Sequence, residues 1–193
     1  MPFHHLAVVT RDVVGNHLFY SQAMGFELVK VEVRKTPEGG WAKHFFYDTG
    51  SGEMMAFWEL HDGSLPEKFP TGLSEAAGLP PWVNHIAFQA AGVAELQSHL
   101  KRWLECGYDV LEIDHGWCYS IYTTDPNHTL VEWCVTTGVF DEGDRAKAQR
   151  ALIEEVDFDV GKAKIQHHRS RCEPLHRREE LLSAGKAEKE RGP

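Results

Sequence analysis

The chain has 193 residues, 42% of them hydrophobic and 11% aromatic, enough apolar material for a single soluble domain with a sizeable core and a tail. A formal charge of −9 argues against a surface for phosphate backbones, so no nucleic-acid partner is expected. No apolar run reaches bilayer-spanning length and the N-terminus lacks the basic, apolar and small-residue order of a secretion signal, so a cytoplasmic location without membrane association is expected.

In chain order, residues 3–9 read as a strand carrying His4 and His5, after which Asp12 caps a helix that Gly25 ends. Residues 25–29, Gly-Phe-Glu-Leu-Val, open the next strand. Thr36-Pro-Glu-Gly-Gly is a hairpin signal, and residues 41–47 follow as a strand containing His44. After the Gly50-Ser51-Gly52 turn, residues 54–60 form a strand that holds Glu59. Residues 61–81, with Leu65-Pro66, Phe69-Pro70 and Leu79-Pro80-Pro81, read as a loop, either a lid over a site or a linker.

A second series begins at residue 83, where Val-Asn-His-Ile-Ala-Phe reads as a strand carrying His85. Val93, Leu96, Leu100, Trp103 and Leu104 recur at helical spacing and Gly107 stops that helix. Residues 120–124 form a strand that runs into an Asp125-Pro126-Asn127-His128 turn and returns with Glu132, so one sheet brings His85 and Glu132 together. His5 precedes Gly25-Phe26-Glu27 by about the interval at which His85 precedes Gly107-Tyr108-Asp109. The chain therefore holds one strand-helix-three-strand unit twice.

This layout resembles the vicinal oxygen chelate superfamily, which contains glyoxalase I, fosfomycin and bleomycin resistance proteins and extradiol ring-cleaving dioxygenases. The resemblance covers residues 1–137. It implies an α+β fold in which two paired βαβββ modules, at about residues 1–62 and 82–137, form a curled mixed sheet around a metal cavity. Residues 138–193 would be a C-terminal helical extension and charged tail. The ligand positions of the family fall on His5, His85 and Glu132. Two imidazoles and one carboxylate leave coordination positions free, as in non-haem Fe(II) oxygen chemistry.

Residues 115–132 further resemble the extradiol signature of a histidine, an apolar-Tyr pair, an acid-Pro turn and a ligand glutamate. That resemblance implies catalytic roles for His115 and Tyr122 and an acid-base role for His44. His128 stands where the family has Gly or Pro, which fits a turn needing no strongly left-handed residue. Strand alternation puts His4 and His5 on opposite faces, leaving His5 as the ligand.

The expected function is thus a mononuclear Fe(II) dioxygenase whose partners are a small aromatic diol and O2, acting as a homo-oligomer. One alternative is a glyoxalase-like isomerase or thiol transferase on Mn(II), Ni(II) or Zn(II), with Glu59 as fourth ligand. Counting from Tyr47 as the counterpart of Tyr122 gives Phe57 as the match to Glu132, two residues short of Glu59. Another alternative is a metal-free resistance protein that sequesters a planar ligand.

Cys106, Cys118, Cys134 and Cys172 lack any CxxC or zinc-finger spacing and are expected to be reduced. Residues 145–155 read as a helix with Ala146, Ala148, Ala151, Leu152 and Val156 as packing positions, and His167 and His168 as part of a solvated basic segment.

Overall fold

A computed structural model describes residues 3–154 and 163–173. The first module runs β1 (His5–Val9), α1 (Val13–Leu18), β2 (Glu27–Lys35), β3 (Trp41–Asp48) and β4 (Met54–His61). After α2 (Leu73–Ala76), the second runs β5 (His85–Gln89), α3 (Val93–Glu105), β6 (Val110–Asp114), β7 (Cys118–Thr124) and β8 (Leu130–Thr136). Then come α4 (Glu142–Ile153) and β9 (Lys164–His168). The strands form two mixed sheets, ordered β1-β4-β3-β2 and β5-β8-β7-β6-β9, and the two are not closed into a barrel. The α+β class and the paired βαβββ units expected from the sequence are both present.

The two modules repeat each other in register. β1 runs parallel to β4 with His5 opposite Met54, and β5 runs parallel to β8 with His85 opposite Leu130. Asp12 caps α1 through its Oδ1, which accepts from the Gly15 amide at 2.8 Å. A π-helical turn over Phe19–Ala23 continues α1. Gly25 and Gly107 close the two helical segments at φ of 80° and 92°, a backbone region where a side chain is strained.

Alternation along the strands separates two faces. On one, Tyr47, Met55, Phe57, Ile121, Val131 and Trp133 pack with Phe19, Tyr20, Leu96 and Trp103 into a single core. The modules meet there. Phe26 lies edge-on to Phe88 with ring centroids 5.1 Å apart, and the buried Tyr20 hydroxyl donates to Asp125 Oδ2 at 3.0 Å. Asn127 Nδ2 donates to Asn16 Oδ1 at 2.7 Å, adding a second buried polar bond between the modules. The other face carries His5 and His44 on the first sheet and His85 on the second.

Three sequence expectations need correction. The connection after β4 contains the short helix α2. Helix α4 exists but buries no residue, so Ala146, Ala148, Ala151 and Leu152 are not core positions; Val156 lies outside the described residues. Lys164–His168 is exposed at four of its five residues but forms a strand, β9, antiparallel to β6.

Candidate metal and substrate site

The second sheet carries the denser cluster. His85 stands on β5, which pairs only with β8 among the described residues. Glu132, 5% exposed, comes from β8, and its Oε2 lies 3.2 Å from His85 Nε2. Two ligands each about 2.1 Å from one ion and at right angles to it are about 3.0 Å apart, so this separation suits a shared metal as well as an ion pair. The other ring nitrogen of His85 faces the Val83 carbonyl at 3.4 Å, the kind of contact that orients a ligating imidazole.

Tyr122 sits directly across β7 and β8 from Glu132. Its hydroxyl is 3.0 Å from Nε2 of His115 in the turn before β7. Burial, with the Glu132 carboxylate beside it, pushes the phenol far above its ordinary value, so Tyr122 is a neutral donor across the physiological range. With its own proton on Nδ1, His115 accepts that hydrogen bond. The four residues His85, Glu132, Tyr122 and His115 are thus brought together on the second sheet.

His5 belongs to a different group, on the corresponding face of the first sheet. Its ring lies 6.1 Å from that of His44 and 5.5 Å from Phe46. His44 stacks on Trp58 with centroids 3.8 Å apart and planes 10° from parallel. The Nε2 of His44 is buried with no hydrogen-bond partner, and burial, followed by His5, pulls its pKa down. A buried ring nitrogen without a partner is an unmet hydrogen-bonding group. His4 precedes β1 and bonds His5 through the two Nδ1 atoms at 2.7 Å, so strand alternation does not separate this pair.

Among the described residues no three His, Cys, Asp or Glu side chains cluster closely enough to hold one ion. His85 and Glu132 fit two positions of a metal centre, and His5 does not join them within the chain. A groove of about 1280 Å³ runs along the free side of β5, lined by His85, Ile86, Phe88 and Trp133 and, from the first module, Phe3 and Leu6. Glu59 takes no part. It lies on the opposite face of β4 from His5, held by Lys43 Nζ and His61 Nε2, each at 2.8 Å.

Sequence reasoning missed Trp58 and Phe46, although both could have been found by extending the alternation from His44. Ser120 and Cys134 likewise share the face of Tyr122 and Glu132.

A profile for the Glyoxalase/Bleomycin resistance protein/Dioxygenase superfamily matches residues 3–133. The chain belongs to this superfamily. A glyoxylase/bleomycin resistance protein/dioxygenase domain from Frankia sp. EAN1pec shares its fold at a TM-score of 0.56 and 13% identity, over 70% of this chain and 98% of that one. Lactoylglutathione lyase from Agrobacterium tumefaciens aligns at a TM-score of 0.46 and 19% identity, over 69% and 92% of the two chains. The fosfomycin resistance protein FosX from Listeria monocytogenes aligns at 0.47 and 20%, over 71% and 94%. A comparison with curated proteins found no match. The superfamily includes enzymes and resistance proteins alike, and no helix among the described residues is long and apolar enough to cross a membrane.

Proposed function

We propose that the protein is a mononuclear Fe(II) extradiol-type dioxygenase that opens a catechol-like or hydroquinone-like ring with O2. The observation that carries this reading is the His85–Glu132 pair at 3.2 Å with Tyr122 and His115 on the same face. His85 and Glu132 would hold the metal with His5 as third ligand. A bound iron would supply a common site that draws diol and O2 together and couples them electronically.

The surrounding residues have separable tasks. Tyr122, whose own proton points at His115, accepts a hydrogen bond from one substrate hydroxyl and so fixes which way the ring faces. His115, bonded to that phenol, takes up the proton that Tyr122 passes on. His44 serves as a second acid-base group, and Trp58 and Phe46 beside it offer flat surfaces to an aromatic ring.

The third ligand comes, in this proposal, from a second copy of the chain. β1 and β5 each have one side without a strand partner among the described residues, and they carry His5 and His85. A two-fold pairing that sets β1 of each copy beside β5 of the other builds two equal sites at once. Mixing His5→Ala with Glu132→Ala chains then restores one intact site per mixed pair. If His5 instead came from the same chain, no mixture would regain metal.

The four-ligand isomerase reading loses support because Glu59 faces away and is already paired. The decisive experiment is oxygen uptake by anaerobically prepared, iron-loaded protein with a panel of catechols and hydroquinones. Uptake with at least one diol is expected, and none with any would overturn the reading.

A further inference from the structure

The C-terminal strand lies on the same sheet as the ligand pair. In β9, His167 is opposite Leu111 and Ile165 opposite Ile113; across β6, Leu111 is opposite Tyr122 and Ile113 opposite Ser120. Ile165 and His167 therefore share the face of Tyr122 and Glu132, while Gln166 and His168 point to the other. Leu111, Ile113 and Ile165 make an apolar stripe on that face, and Ile165 is 57% exposed. A contiguous apolar strip on the same sheet face as a polar cluster suits contact with a ligand that spans both.

The strand is firmly attached. His168 Nε2 donates to the buried Glu112 carboxylate at 2.6 Å. Arg169 pairs with Asp109, whose Oδ1 also accepts from the Ser170 amide at 2.8 Å. The Ser170 hydroxyl donates to the Leu104 carbonyl at 2.7 Å, at the end of α3. Side chains on β9 thus have fixed positions relative to Tyr122.

We propose that β9 is a specificity wall, in which Ile165 with Leu111 and Ile113 receives an apolar substituent carried by the substrate next to its diol. The proposal rests on the dioxygenase reading for the position of the diol at Tyr122. Two strand spacings and one two-residue step separate Tyr122 from Ile165, about 12 Å between backbones. That span selects an aryl or long alkyl substituent over a methyl group.

Binding of catechol and of 3-phenylcatechol to the iron-loaded full chain without oxygen, followed by tryptophan fluorescence, tests this apart from turnover. The wild type should prefer the phenyl compound. Ile165→Asp should weaken 3-phenylcatechol by at least about tenfold and catechol by less than about twofold. Ile165→Ala should do the same more mildly, and Gln166→Asp, on the opposite face, should leave the preference intact. An unchanged preference in Ile165→Asp, or no preference in the wild type, overturns the wall alone. Failure of the wild type to bind either diol overturns the dioxygenase reading together with it.

Discussion

Ala56, rather than the Phe57 obtained by counting from Tyr47, occupies in the first module the register position that Glu132 occupies in the second. Ala56 lies opposite Ala7, two residues after His5, as Glu132 lies opposite Ala87, two residues after His85. The first sheet therefore offers His5 without a carboxylate beside it. Glu59, three residues on and on the other face, should be replaceable. Glu59→Gln is expected to keep its metal content within about twofold of wild type by elemental analysis, because no ligand is removed. Loss of the metal in this variant would revive the four-ligand alternative.

Tyr122→Phe separates binding of the metal from use of the substrate. The change deletes a hydroxyl and its bond to His115 but leaves His85 and Glu132 in place. Iron should stay bound while turnover falls by roughly tenfold to a thousandfold. Metal analysis and oxygen uptake on one preparation check both halves, and loss of iron would place Tyr122 among the ligands or their supports.

His128 corrects the expectation that its turn needs no left-handed residue. Its φ is 64°, the one positive value at a non-glycine residue among those described. That conformation costs a residue with a Cβ about 1–2 kcal/mol, partly offset in glycine by its freer unfolded chain. His128→Gly should stabilise the protein by roughly 0.5–1 kcal/mol, read as a higher urea midpoint with an unchanged slope.

Glu112 makes stability depend on acid. Burial alone would raise its pKa, but the hydrogen bonds from Tyr119, Gln97 and His168 outweigh burial and hold it below the ordinary glutamate value. A carboxylate depressed in the folded state stabilises the fold above its unfolded value, and that contribution is lost as pH falls through the folded one. Glu112→Gln should therefore be less stable than wild type by roughly 1–3 kcal/mol at neutral pH. The gap should close below about pH 4. Denaturant titrations at both pH values give the comparison, and a gap that persists in acid would assign the loss to packing.

Much of this was legible in the residues. Strand composition, the Asp12 cap and the glycine stops at 25 and 107 depend on neighbouring residues alone, so the repeat and the His85–Glu132 sheet could be read directly. The separation of His5 from that pair could not. It follows from how Tyr20, Phe26 and Asn16 of one module pack against Asp125, Phe88 and Asn127 of the other, contacts between residues about 60 to 110 positions apart. β9 was hidden for another reason. An edge strand of five residues with four of them exposed has polar and apolar positions that do not alternate cleanly, and its partner β6 lies some fifty residues earlier.

The most direct test of the central claim is the iron bound per chain after anaerobic loading and removal of free metal, in wild type and in Glu132→Ala. About one iron per chain is expected in the wild type and almost none in the variant, because a site that loses its buried carboxylate keeps only imidazoles for a labile ion. Equal iron in the two proteins, or none in the wild type, would contradict that claim.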